Sequence, residues 1–209
     1  MLHGRGAYTT VEGAKCVMEP GDLVLTPSMT WHDHGNEGTE PVMWIDGLDS
    51  PVVRYLENLA MDTYPEERQP VAGTPAGQLL HYRWEATHAA LLRQRELPAS
   101  PYDDVLVEYV NPSTGRSVLP TLGCYIQMLR AGVRTRSHRE TSSAVYHVVA
   151  GAGHSVIDGH RFDWTRGDFF AVPPRAWHEH ACDGGEPAIL FSFQDVPLLK
   201  ALGHYRMDA

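Results

Sequence analysis

The chain has 209 residues, 43% of them hydrophobic and 21% charged, and a formal net charge of −9. That acidic balance argues against a nucleic-acid surface, which needs a basic face for phosphate. No apolar run reaches the ~20 residues of a membrane-spanning helix, and no charged-then-apolar leader opens the sequence.

Fifteen prolines and nineteen glycines, spread along the chain, point to an all-β protein with many tight turns. Ala7 to Val11 reads as a strand, Glu12-Gly13 as its turn and Ala14 to Met18 as the returning strand. Glu19-Pro20-Gly21-Asp22 is a turn signal ahead of the apolar run Leu23-Val24-Leu25, and Pro41 to Ile45 is a further strand candidate. Ser50 is placed to cap a short helix from Pro51, with Val52, Leu56 and Leu59 on one face. Residues 64 to 78, rich in Pro, Gly, Glu and Gln, read as a linker, and Trp84 to Leu97 has helical spacing. Strand character returns after Asp103: Val105 to Val110, Cys124 to Leu129, Ala144 to Val149, Ser155 to Ile157, Phe169 to Val172 and Ile189 to Phe193. Asp195 is placed to cap a last short helix. Strand, turn, strand without βαβ alternation predicts closed or sandwiched antiparallel barrels, two of them joined by a helical linker. Cys16, Cys124 and Cys182, odd in number and far apart, read as reduced, buried thiols of a cytoplasmic protein.

One stretch is written twice. Gly21-Asp22, Pro27 and Trp31-His32-Asp33-His34 return as Gly167-Asp168, Pro173 and Trp177-His178-Glu179-His180, each displaced by 146 positions. Gly13 and Pro41 match Gly159 and Pro187 at the same offset, and Gly4-Arg5-Gly6 matches Gly151-Ala152-Gly153 one residue later. A supersecondary unit has been duplicated, and the first copy is expected to be cut short at Met1. Histidines two apart on a strand share a face. A lone histidine in a β protein is usually structural, whereas His-x-His behind Gly-Asp and Pro, twice, is a metal-site signal. Imidazole suits Fe, Zn, Cu or Ni alike.

This spacing resembles the second sequence motif of the cupin family. In that family's first motif a glycine precedes His-x-His by five residues, followed by a glutamate and a closing glycine. Gly132, His138 and Gly151 fit it in the second copy, but Glu140 replaces the second histidine and Ala144 the glutamate. His138, Glu140 and His178 are then candidates for a two-histidine, one-carboxylate metal set. The alternative is a metal-free structural copy. In the first copy the matching His-x-His would fall before Met1, which leaves His32 as one ligand of three.

The likeness becomes specific at Gly-Ala-Tyr-Thr-Thr-Val-Glu-Gly (6–13), Trp-His-Asp-His-Gly-Asn (31–36), Trp-Ile-Asp-Gly-Leu-Asp (44–49), Tyr-Pro-Glu-Glu (64–67) and Tyr-Val-Asn-Pro-Ser-Thr-Gly (109–115). These resemble gentisate 1,2-dioxygenases and their relatives acting on 1-hydroxy-2-naphthoate and salicylates. The resemblance implies a bicupin, a double jelly-roll. Its partial first barrel would span residues 1–62, a linker with helix 63–102 and a second barrel 103–209. It implies Fe(II) and O2 as reactants' partners in ring cleavage of an aromatic hydroxy acid, between the carboxyl-bearing and hydroxyl-bearing carbons. By resemblance His32 is an iron ligand, His34 faces substrate and oxygen, and Asp46 orients the site. Trp31 and Trp44 read as core. A barrel without its opening strands would expose Leu23, Leu25 and Trp44 and favour a homo-oligomer. The rival function is a non-catalytic binding or scaffold module.

Overall fold

A computed structural model describes residues 1–72 and 81–209. They form two compact units, residues 1–86 with 112–114 and residues 87–111 with 115–209. No helix among the described residues is long and apolar enough to cross a membrane.

The first unit is built on the strands β1 (Ala7–Val11), β2 (Ala14–Val17), β3 (Leu23–Val24) and β4 (His32–Asn36), the helix α1 (Ser50–Tyr55), the strand β5 (His81–Tyr82) and the start of helix α2 (Trp84–Gln94). A three-stranded antiparallel sheet has the order β2-β1-β4. Glu12 and Gly13, both at positive φ, make the tight turn between β1 and β2. Register decides the faces. Thr9 lies opposite His34 and Val11 opposite His32 on one side, while Tyr8 lies opposite Gly35 and Thr10 opposite Asp33 on the other. Gly35 is required there, because an added Cβ would sit 2.3 Å from the Tyr8 ring.

The Tyr8 face is covered by a segment that composition marks as linker. Gln69 N–H donates to Asp33 Oδ2 at 2.9 Å and its side-chain oxygen accepts from Gly13 N–H at 3.1 Å. Arg68 donates to the Tyr8 hydroxyl at 3.0 Å, and the Tyr64 ring meets Trp31 edge-on at 5.1 Å. Pro- and Gly-rich composition reported the lack of regular structure, not a lack of contacts. Segment 64–72 of the expected linker thus packs on the first unit; residues 73–78 of it lie outside the described residues. Two local expectations also move. Pro41 to Ile45 forms no strand, only a bridge from Met43 to His3. The N-cap of α1 is Asp49 rather than Ser50, without a side-chain cap bond. Leu25 is buried at 6% exposure, and Leu23 and Trp44 are half-buried, so these three do not form the open apolar face expected of them.

The second unit holds the rest of α2, β6 (Val105–Glu108), β7 (Val110–Asn111), β8 (Arg116–Ser117), β9 (Gly123–Leu129), β10 (Arg139–Glu140), β11 (Ala144–Ala150), β12 (Ala152–Ile157), β13 (His160–Thr165), β14 (Phe169–Val172), β15 (His178–Ala181), β16 (Ala188–Gln194), α3 (Val196–Ala201) and β17 (Met207–Asp208). A five-stranded sheet, β14-β11-β16-β9-β6, accompanies a three-stranded sheet, β13-β12-β15. Every residue of β9 is buried. The core cluster includes Leu129, Tyr146, Val148, Ile157, Trp164, Val172 and Leu190. Phe170 stacks on Tyr146 at 4.8 Å and on Trp164 at 6.2 Å, both nearly parallel. Asp195 sits at the α3 N-cap but does not cap it; its Oδ1 accepts instead from Ser143 N–H at 2.8 Å. The cysteines are unpaired in disulfides; Cys124 and Cys182 are buried and Cys16 is half-buried. Burial pushes the Cys124 thiol up to about 12, so it is inert as a nucleophile at neutral pH.

Candidate functional site

The sequence repeat is a structural repeat. The sheet β2-β1-β4 has the same order as β13-β12-β15, with Val11 and His32 paired as Ile157 and His178, and Thr9 and His34 as Ser155 and His180. The turn ahead of each histidine strand is the same. Glu12 N–H donates to the Trp31 carbonyl at 2.9 Å, and Asp158 N–H to the Trp177 carbonyl at 2.8 Å. The Glu12 and Asp158 carboxylates accept from Trp31 N–H and Trp177 N–H in return. Behind the second histidine of each pair stands a buried hydroxyl. Thr9 Oγ1 lies 2.9 Å from His34 Nδ1, and Ser155 Oγ lies 2.7 Å from His180 Nδ1.

In the first unit His32 and His34 lie on the exposed positions of β4, with ring centroids 5.6 Å apart. His34 is 5.4 Å from the Trp44 ring. Desolvation lowers the His34 pKa, against the opposing charge of Asp46, which is itself exposed. The structure thus brings His32 and His34 of β4 and Trp44 and Asp46 of the following segment to one neighbourhood. Trp31 is 38% exposed and Trp44 half-buried, so neither is core in the full sense expected of it.

In the second unit His138, His178 and His180 are buried at 3%, 6% and 1% exposure. His138 and His178 bridge through their backbones, and their rings lie 4.2 Å apart. His178 Nδ1 is 3.0 Å from the Ala176 carbonyl, which makes it a donor and leaves Nε2 as the acceptor nitrogen. Burial, and then the neighbouring histidines, hold the His178 pKa low and the His180 pKa well below the ordinary value, so both are neutral at pH 7. Burial also raises the Asp103 carboxyl, against the Ser100 hydroxyl that donates to it at 2.9 Å.

Glu140 does not join His138 and His178 as a metal-binding carboxylate. Its Oε2 accepts from Ser142 at 2.7 Å and its Oε1 from the Tyr205 hydroxyl at 3.0 Å. Among the described residues no three His, Cys, Asp or Glu side chains are disposed to hold a metal ion. The expected His138, Glu140, His178 set is not gathered as such a group among the described residues, where each Glu140 oxygen accepts a hydrogen bond. In the first unit, too, no three such side chains gather at His32 among the described residues, so these residues alone do not fit Fe(II).

Sequence reasoning overlooked Thr9 and Ser155, although they share the 146-residue offset and precede their histidines by the same spacing. It also overlooked a role that one copy of Gly-Asp acquires. Asp22, 6% exposed, accepts from His81 Nε2 at 2.7 Å and from Trp84 N–H at the start of α2 at 2.8 Å. Gly21, at φ +94°, leaves room for the Trp84 ring, whose Cγ would be 2.7 Å from an added Cβ. Asp168 is exposed, and its carboxylate accepts from Thr165 within its own turn.

Comparison with known proteins fits this duplicated geometry. The Cupin domain family matches residues 1–48 and 125–193. The chain is 38% identical over 227 aligned positions to a 5-aminosalicylate 1,2-dioxygenase of Comamonas sp., covering 99% of this chain and 60% of that protein. It is 34% identical to a gentisate 1,2-dioxygenase of Streptomyces sp., covering 97% of this chain and 64% of that protein. The crystal structure of a salicylate 1,2-dioxygenase from Pseudaminobacter salicylatoxidans superposes with a TM-score of 0.90 at 31% identity, over 99% of this chain and 67% of that one. The chain spans about 60% of the length of the curated relatives it matches. Two cupin-motif sheets in one register, with these relatives along nearly the whole sequence, place the chain in the cupin family, among the gentisate and salicylate dioxygenases.

Proposed function

We propose that this chain serves in the O2-dependent ring cleavage of an aromatic hydroxy acid, as the names of its relatives describe for them. The observation that carries the reading is the cluster of His32, His34, Trp44 and Asp46 on the open face of β4 and the segment beside it. His32 takes the ligand position, and Fe(II) there requires further donors beyond those that the described residues gather. His34 and Asp46 are polar groups placed to orient a hydroxylated ring, and Trp44 walls the site beside His34. The second unit, with His178 and His180 buried and neutral and Glu140 hydrogen-bonded to Ser142 and Tyr205, supplies scaffold. Cytoplasmic location and assembly as a homo-oligomer belong to the same proposal.

The test compares the 209-residue chain with a chimera that adds to it the part of the Comamonas relative that this chain does not match. Iron content and O2 uptake are measured with gentisate, salicylate and 5-aminosalicylate. The chain alone should hold little iron and cleave nothing; the chimera should do both. In the chimera His32→Ala should remove iron and turnover together, while His34→Ala should keep most of the iron and lose turnover. Stoichiometric iron and turnover in the chain alone would overturn this account of the ligand set. A chimera that binds iron and aromatic acid yet never consumes O2 would support the rival reading, a binding module.

A further inference from the structure

The hydroxyl behind each second histidine has one more neighbour, and the two copies differ there in kind. Thr9 Oγ1 lies 3.7 Å from the Met18 sulfur, and Ser155 Oγ lies 2.9 Å from Trp164 Nε1. Met18 and Trp164 occupy the same place in the repeat, 146 positions apart. A thioether only accepts a hydrogen bond, and an indole N–H only donates one. Thr9 is 2% exposed and Ser155 is fully buried, so neither hydroxyl turns its hydrogen to water.

We propose that Met18 and Trp164 set opposite tautomers in the two histidines, leaving His34 with an acceptor nitrogen at Nε2 and His180 with a proton there. Around Ser155 the Trp164 N–H occupies an oxygen lone pair, and the hydroxyl hydrogen has His180 Nδ1 as its acceptor. Nδ1 is then unprotonated and the ring proton sits on Nε2. Around Thr9 the hydroxyl hydrogen goes to the Met18 sulfur, and the oxygen accepts from His34 Nδ1–H. That arrangement makes two hydrogen bonds, whereas the opposite tautomer of His34 makes one and leaves the sulfur without a donor.

The consequences match the two sites. His180 Nε2 is fully buried with no hydrogen-bond partner among the described residues, and a protonated nitrogen there is no metal ligand. His34 Nε2 becomes a nitrogen able to accept from a ring hydroxyl. This last consequence rests on the proposed function; the tautomers themselves do not. Thr9 and Met18 are positioning residues, since they act through His34.

The experiment is 15N NMR of the histidine-labelled 209-residue chain at a fixed pH above neutrality, where long-range 1H–15N patterns separate the tautomers. His34 should show the Nδ1–H form in roughly fivefold excess, the effect of one net hydrogen bond, and His180 the Nε2–H form. Thr9→Ser should preserve the His34 signature and Thr9→Val should lose it. Met18→Leu, which keeps bulk and removes the acceptor, should shift His34 toward Nε2–H. The His178 signals report that each variant is folded. An Nε2–H His34 in the unaltered chain, the same tautomer at both positions, or no response to Met18→Leu in a folded variant would each overturn the proposal, whatever the outcome of the iron and turnover measurements.

Discussion

The sheets β2-β1-β4 and β13-β12-β15 agree in strand order, register, turn and hydroxyl–histidine bond, yet one histidine pair is exposed and the other buried. The backbone plan follows from residues the copies share: glycines at positive φ, prolines before the motif and an alternation that keeps both histidines on one face. What each histidine does follows from residues they do not share. His180 has the Tyr146 and Phe170 rings at 5.0 and 5.7 Å, whereas His34 has Trp44 and the charge of Asp46. Duplication preserved a frame and released the side chains around it.

The sharpest way to break that comparison is at its most divergent matched position. Trp164→Ala removes a buried indole, its stack on Phe170 and its hydrogen bond to Ser155. It should cost about 3–5 kcal/mol. Met18→Ala, at 5% exposure but without the stack or that bond, should cost about 2 kcal/mol. Hydrogen exchange read at the amides of β12 and β1 separates the two, and equal losses would mean that the copies pack alike after all.

The next effect is acid sensitivity. The folded-state pKa values of His178 and His180 lie below the ordinary value, from burial first. Above pH ~6.5 both states are neutral at these residues, and stability is unaffected. As pH falls below that, the unfolded chain binds protons that the folded chain refuses. Stability then drops by about 1.4 kcal/mol per pH unit for each histidine until its folded pKa is reached. Denaturant unfolding between pH 8 and 5 should show this slope, and a His178→Asn, His180→Asn double variant should flatten it. An unchanged slope would remove these histidines from the acid response. His34 shifts in the same direction, but Asp46 opposes the shift, so its contribution should be smaller.

Much of this frame was legible in the residues. Repeated Gly-Asp, Pro and Trp-His-x-His announced two matched sheets, and the strands β9, β11, β14 and β16 stood out as apolar runs. What escaped was non-local. Nothing near Asp22 in sequence says that His81 and Trp84 will come to it, and nothing near Glu140 names Tyr205 as its partner. The strand β13, His160–Thr165, alternates polar residues with one buried Trp164, a pattern without an apolar run to mark it. Segment 64–72 had loop composition and a covering role, because irregular backbone can satisfy its amides on side chains such as Asp33, while the Gln69 side chain in turn accepts from the Gly13 N–H of the β1–β2 turn.

The two Gly-Asp turns give a smaller, cleaner contrast. Asp22→Asn should cost about 2 kcal/mol, since a buried carboxylate that accepts from His81, Trp84 and Glu19 loses an acceptor oxygen. Asp168→Asn, at an exposed turn, should cost less than about 0.5 kcal/mol. Urea-unfolding midpoints read the difference, and parity would show that the Asp22 bonds add nothing net.

The smallest effect lies at the hairpin tips, where the copies differ by a methylene. Glu12 and Asp158 both sit at positive φ, 48° and 47°, and both turn a carboxylate back to the N–H of the following tryptophan segment. Aspartate tolerates the left-handed region better than glutamate, because its short side chain bonds locally there. The shorter arm also loses less rotamer freedom in making the same bond. Glu12→Asp should therefore stabilise the first unit, and Asp158→Glu should destabilise the second, each by about 0.5 kcal/mol in thermal unfolding. Opposite signs are the signature of a shared backbone geometry. If both exchanges destabilise, each copy has tuned its turn to its own carboxylate, and the match between the sheets ends one residue beyond β1 and β12.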